Sequence, residues 1–155
     1  MTATRKQVLQ AAVDSGRLEI IHIENDEVKA ANTLAGLASE RITGYSESDH
    51  DRKEKYHKRA RRQLGRLATL LGLKTDDYDL RLNRAGPAVC GETTLHTDTL
   101  YIQVSQSSLG RGHEIMYRRC KGRKDYSGGQ NHFGPASRLD DVENFRDILH
   151  AARLI

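Results

Sequence analysis

Apolar positions along the chain repeat first at helical spacing and then with a period of two. Val8, Leu9, Ala12 and Val13 share one face of a helix predicted over 4–15, with Gly16 at its C-terminal stop. Leu18, Ile20, Ile21 and Ile23 follow in a short β-branched run, 17–23, which reads as a strand. Val28, Ala31, Leu34, Ala35, Leu37, Ala38 and Ile42 predict a second helix over 27–45, closing at Gly44. Residues 46–50 form a polar break. The longest predicted element is a helix over 52–73, on which Tyr56, Ala60, Leu64, Leu67 and Leu71 make a regular stripe.

The period then changes. Tyr78, Leu80 and Leu82 alternate with Asp79, Arg81 and Asn83, and Leu100, Ile102 and Val104 alternate with Tyr101, Gln103 and Ser105. Each set predicts a strand with one buried face. Gly86-Pro87 and the 107–112 run supply turns, and 115–120 reads as a further strand. Ser137-Arg138-Leu139-Asp140 has the spacing of a capping box, opening a closing helix through Val142, Phe145, Ile148, Leu149 and Ala152. Helices first, a small and mostly antiparallel sheet next and a C-terminal helix last give an α+β class. With 155 residues the expectation is a single domain over 1–155.

Charged residues make up 30% of the chain, and 25 Lys and Arg against 21 Asp and Glu leave a net charge of +4. That excess is far below that of a histone-like protein. It permits nucleic acid as a partner and fits equally well a small anion held at one basic place. Cys90 and Cys120 are the only cysteines, and no apolar segment follows Met1-Thr2-Ala3-Thr4-Arg5-Lys6. The expectation is therefore free thiols, no membrane span and an intracellular, cytoplasmic location.

The chemistry concentrates in residues 117–133. This stretch carries five cationic side chains, three aromatic rings, Asp125, three glycines and Asn131, in a chain with no Trp and two Phe. Guanidinium forks grip phosphates, glycines admit backbone N–H groups to an anion, and aromatic faces stack on bases. Arg119 and Arg123 are the candidate phosphate clamps, and Asp125 is placed to hold a guanidinium or accept from ribose hydroxyls. Tyr117, Tyr126 or Phe133 offers a stacking face, and Asn131 offers a base-edge reader. The plain alternative is a solvated hairpin end. A second basic surface lies on the 52–66 helix, where Arg59, Arg62 and Arg66 are candidate contacts for a second phosphate site or for DNA or RNA. Charge on a helix's polar face also serves solubility alone.

Catalytic and metal signatures are thin. The seven histidines show no HExxH, the two cysteines form no CxxC, and there is neither a Walker loop nor a G-x-G-x-x-G. His96-x-Asp98 would supply two metal ligands of the three or four required. Cys120 would need a base beside it to act as a nucleophile. We expect a binding protein without metal or cofactor. The third reading, a nucleotide-processing enzyme, would use His96, His113 or His132.

At Arg119-x-x-x-Arg123-x-Asp125, with its Gly-Gly-x-Asn continuation, the C-terminal half resembles the first-described family of phage Thoeris anti-defence sponges. That resemblance implies a small, non-enzymatic viral protein acting in the cytoplasm of an infected bacterium. Such a protein traps cyclic ADP-ribose isomers, and in some members cyclic oligonucleotides, as a homodimer or higher homo-oligomer. It implies phosphate contacts at Arg119 and Arg123, a supporting role for Asp125, and Tyr101 or Tyr126 as the aromatic group against the base.

Overall fold

A computed structural model describes residues 32–40, 42, 46–84, 90–106, 112–126 and 128–155. The predicted helix over 4–15 and strand over 17–23 lie outside the described residues, as do most of the two predicted turns. The described secondary structure falls within one compact unit, Thr33–Ile155, and is α+β.

Of the predicted 27–45 helix, 27–31, 41 and 43–45 lie outside the described residues, and within the rest the first described element, α1, spans Leu34–Ala38. Thr33 has extended backbone and its hydroxyl accepts from the Gly36 N–H at 3.0 Å, so a helix begins here. A threonine at that position competes with helix continuation by bonding the backbone itself. Helix α2 (Glu47–Leu70) starts earlier and stops earlier than predicted. Ser46 is its N-cap, accepting from Asp49 N–H at 3.1 Å, so the polar run 46–50 is the cap and first turn rather than a break. Gly72, at φ +74°, ends it in a Schellman turn, with Leu73 N–H donating to Ala68 O and Gly72 N–H to Thr69 O.

Five strands form one antiparallel meander in sequence order: β1 (Tyr78–Asn83), β2 (Glu92–Thr97), β3 (Leu100–Ser105), β4 (Ile115–Arg119) and β5 (His132–Gly134). The patterns over 78–83 and 100–105 land on β1 and β3, and 115–120 is β4 less one residue. Sequence reading missed β2 and β5. β2 is Glu-Thr-Thr-Leu-His-Thr, and five of its six residues are buried, so it lacks the apolar alternation of a half-exposed strand. β5 is only three residues long.

One face of the sheet is apolar. Leu80, Leu95, Ile102 and Tyr117 are cross-strand partners there, as are Thr93, Val104 and Ile115. Against this face pack α2, through Tyr56, Ala60, Leu64 and Leu67, and the last helix α3 (Val142–Ala151), through Phe145 and Leu149. All six side chains are fully buried, and each large one contributes roughly 1.5–3 kcal/mol through removal from water. Phe145 meets Tyr117 edge-on at 5.2 Å. The helix predicted from the box at Ser137–Asp140 begins later: Ala136–Leu139 is a 3₁₀ turn after Pro135, and Asp141 is the N-cap, accepting from Asn144 N–H. Asp140 instead reaches α1, where its two oxygens accept from Leu34 N–H at 2.8 Å and Ala35 N–H at 2.9 Å.

Candidate functional site

The opposite face of the sheet is polar. Strand alternation carries Asp79, His96, Tyr101 and Arg118 to it, and the register makes them direct partners, one from each of β1 to β4. They form a row across the sheet at strand spacing, about 4.8 Å per step. The next row holds Arg81, Thr94, Gln103 and Met116.

Residues 120–126 and 128–131, between β4 and β5, fold back over the first row. His96 Nε2–H donates to Gly122 O at 2.9 Å, and Arg118 Nη1–H donates to Gly128 O at 3.0 Å. Arg81 donates to the Tyr126 hydroxyl, and the Tyr126 ring meets His96 at 69° and 5.3 Å. Within the roof, Asp125 closes a tight turn by accepting from Lys121 N–H at 2.9 Å. Gly129 is required by its backbone: φ is +86°, and a Cβ there would lie 2.8 Å from Arg119 O.

Under that roof Arg118 is 4% exposed and His96 1%. The Arg118 guanidinium carbon lies 4.7 Å from the Tyr101 ring centroid, a cation–π contact. Its Nη1 is used by Gly128, but Nε and Nη2 have no hydrogen-bond partner among the described residues. These two N–H groups form one edge of the guanidinium, the side-on fork that grips both oxygens of a carboxylate or phosphate. His96 is similar. With Nε2 donating to Gly122, Nδ1 of the neutral ring is an acceptor, and it too has no partner among the described residues. Burial lowers the His96 pKa, against a smaller upward pull from the Gly122 carbonyl, and keeps the ring neutral. Buried donors and acceptors left without partners are rare, and three of them lie beneath this one roof.

The residues singled out from sequence fall in different places. Tyr101 is buried beneath Arg118, and Tyr126 is in the roof at 55% exposure. Arg123 is spent within the protein, on Asp98 at 3.2 Å, on Asp79 at 3.8 Å and on the Asp76 carbonyl. Asp125 holds the roof turn. Arg119 follows Arg118 on the strand, so it projects from the other face, and it is exposed, as is Asn131. Arg118 and His96 were not among the predicted ligand-binding residues. Strand alternation was the available signal: with Ile115 and Tyr117 in the core, Met116 and Arg118 must share the Tyr101 face.

Both thiols are buried. Burial pushes both Cys90 and Cys120 up, and Cys120 Sγ–H donates to Thr97 O at 3.3 Å. Among the described residues no three His, Cys, Asp or Glu side chains converge as metal ligands. On α2, Arg59, Arg62 and Arg66 continue a stripe begun by Arg52 and Lys55, alternating spacings of three and four. Arg62 and Arg66 are exposed and Arg59 is half-buried. A separate cleft of about 620 Å³ lies where Leu70, Leu73, Leu100 and Ile155 meet, with Arg146 and His150 among its lining residues. No helix among the described residues is long and apolar enough to cross a membrane.

Compared with known proteins, the chain matches no family model, no curated protein and no solved structure.

Proposed function

We propose that this protein binds a small phosphorylated ligand of the cyclic-nucleotide class on the polar face of its sheet and holds it without converting it. The observation that carries this reading is the buried Arg118 guanidinium, whose side-on fork meets no partner among the described residues. A phosphate oxygen pair satisfies that fork, and the positive charge rules out an apolar occupant. The roof, residues 120–126 and 128–131, is tied down by polar contacts that a ligand can replace, and Gly128 and Gly129 allow its backbone to approach an anion. The two thiols, held protonated, favour retention over covalent turnover. The sequence resemblance supplies the biological setting: sequestration of cyclic nucleotide immune signals by a phage protein in the bacterial cytoplasm.

Calorimetry with cyclic ADP-ribose isomers and with cyclic di- and trinucleotides tests the proposal. Heat of binding is expected with at least one of them. Arg118→Gln, which can still donate to Gly128 O, is expected to weaken binding by roughly 2–5 kcal/mol. No heat with any of these ligands overturns the reading. Ligand recovered at unchanged mass after denaturing the complex separates a sponge from an enzyme.

A second reading rests on the α2 stripe. Arg52, Lys55, Arg59, Arg62 and Arg66 present cations along one side of about 20 Å of helix, a length suited to successive phosphates of a nucleic acid.

A further inference from the structure

We infer that the polar-face site reads two points on its ligand: an oxyanion at the Arg118 fork and a ribose hydroxyl at His96 Nδ1. This deepens the reading above and rests on it, by naming ribonucleotides rather than deoxyribonucleotides as the class accepted.

The geometry is that of the row. His96 and Arg118 flank Tyr101 on adjacent strands, so their backbones are two strand spacings apart, about 10 Å. Their functional groups lean inward. The Arg118 guanidinium carbon is 4.7 Å from the Tyr101 ring centroid, and the imidazole centroid is 5.0 Å from it. Both groups therefore lie against one aromatic ring, within a span that a nucleotide's phosphate and sugar can bridge.

Their hydrogen-bonding characters are opposite. Arg118 offers only N–H donors and demands an acceptor. His96 is fixed in the tautomer whose Nε2–H faces the Gly122 carbonyl, so its Nδ1 lone pair demands a donor. A phosphodiester phosphate carries no O–H, so by itself it satisfies the first and leaves the second unmet. A ribonucleotide satisfies both, because its sugar hydroxyls donate. A sugar lacking the hydroxyl leaves a buried acceptor empty, and sites built around a hydroxyl discriminate strongly against its absence.

Two substitutions at His96 separate the roles of its nitrogens. Gln places an amide near the Nε2 position, keeping the tie to Gly122 O and losing the Nδ1 acceptor. Asn places its amide near Nδ1, keeping an acceptor for the ligand and losing the tie. Binding of a 3′,5′-linked cyclic dinucleotide, whose one free hydroxyl on each sugar is the 2′, and of its 2′-deoxy counterpart would be measured by calorimetry on the full chain and both variants. Folding of each variant would be checked by thermal melting.

In the unaltered protein the ribo form is expected to bind about tenfold more tightly than the deoxy form. That preference should vanish in His96→Gln and survive in His96→Asn. Equal affinity for ribo and deoxy forms in the unaltered protein overturns this inference while leaving the phosphate-binding proposal intact. A preference that persists in His96→Gln overturns it as well. Absence of binding to every probe overturns both. Should either variant fail to fold, the ribo-against-deoxy comparison in the unaltered protein decides alone.

Discussion

Individual side chains show how position in the fold governs chemistry that residue type leaves open. Seven histidines are present, yet two of the buried ones have opposite situations. His57 is saturated: Nε2–H donates to Cys90 O at 2.6 Å and Nδ1 accepts from the Thr93 hydroxyl at 2.7 Å. His96 keeps one nitrogen unspent. Burial lowers the pKa of both; for His57 the Cys90 carbonyl opposes this and nearby Lys53 adds to it. The unfolded chain therefore takes up protons more readily than the native one below the ordinary histidine value of about 6.5. Stability is fully present above that pH and is lost as pH falls toward the native-state values. Urea midpoints measured from pH 7.5 down to 5 should decline, and His57→Gln should decline less steeply than the unaltered protein. A variant with an unchanged slope would show that His57 does not contribute. Basic residues obey the same logic. Arg118 and Arg119 are identical in sequence terms and adjacent, but pleating sends one over the Tyr101 ring beneath the roof and the other to solvent.

At the scale of elements, periodicity located the long pieces and local polar bonding set their ends. The stripe Tyr56, Ala60, Leu64, Leu67 was legible because a 3.6-residue repeat has few other interpretations. The ends were not, since Ser46, Thr33 and Asp141 act as caps only once their side chains meet particular backbone N–H groups. Asp140 is the clearest case. Read locally it completes a capping box; in the fold it holds two N–H groups of α1, more than 100 residues away. Asp140→Ala is expected to destabilise the protein by about 1–3 kcal/mol, as two charge-assisted bonds are lost, and a shift in the urea midpoint would measure it. Gly65 offers the reverse. It lies inside α2 at ordinary helical backbone angles, and a Cβ there would meet nothing within 4 Å. Gly65→Ala should therefore stabilise by about 0.5–1 kcal/mol, raising the melting temperature; a lower melting temperature would contradict the open space.

For the whole molecule, the two basic features make different demands on salt. Neutralising phosphates along the α2 stripe releases counterions, so nucleic-acid affinity should fall steeply, by roughly 500-fold between about 50 and 200 mM salt when all five cations meet a phosphate. A single ligand buried at Arg118 is screened far less. Titrations at both salt concentrations, with Arg62→Ala/Arg66→Ala beside Arg118→Gln, should leave small-ligand affinity nearly unchanged by the helix variant. Loss of small-ligand binding in the helix variant would join the two features into one site. The molecule also shows where reading from sequence ends. Sequence alone determined the α+β class, the long amphipathic helix, the strands over 78–83 and 100–105, and the concentration of cations, rings and glycines over 117–133, because these are local properties of composition and period. Tertiary structure decided that Arg123 is spent on Asp98 and Asp79, that β2 exists, and that His96, Tyr101 and Arg118 stand in one row. The physical reason is that a row across a sheet is made by register between strands distant in sequence. Whether a buried donor finds a partner depends on what the fold lays over it.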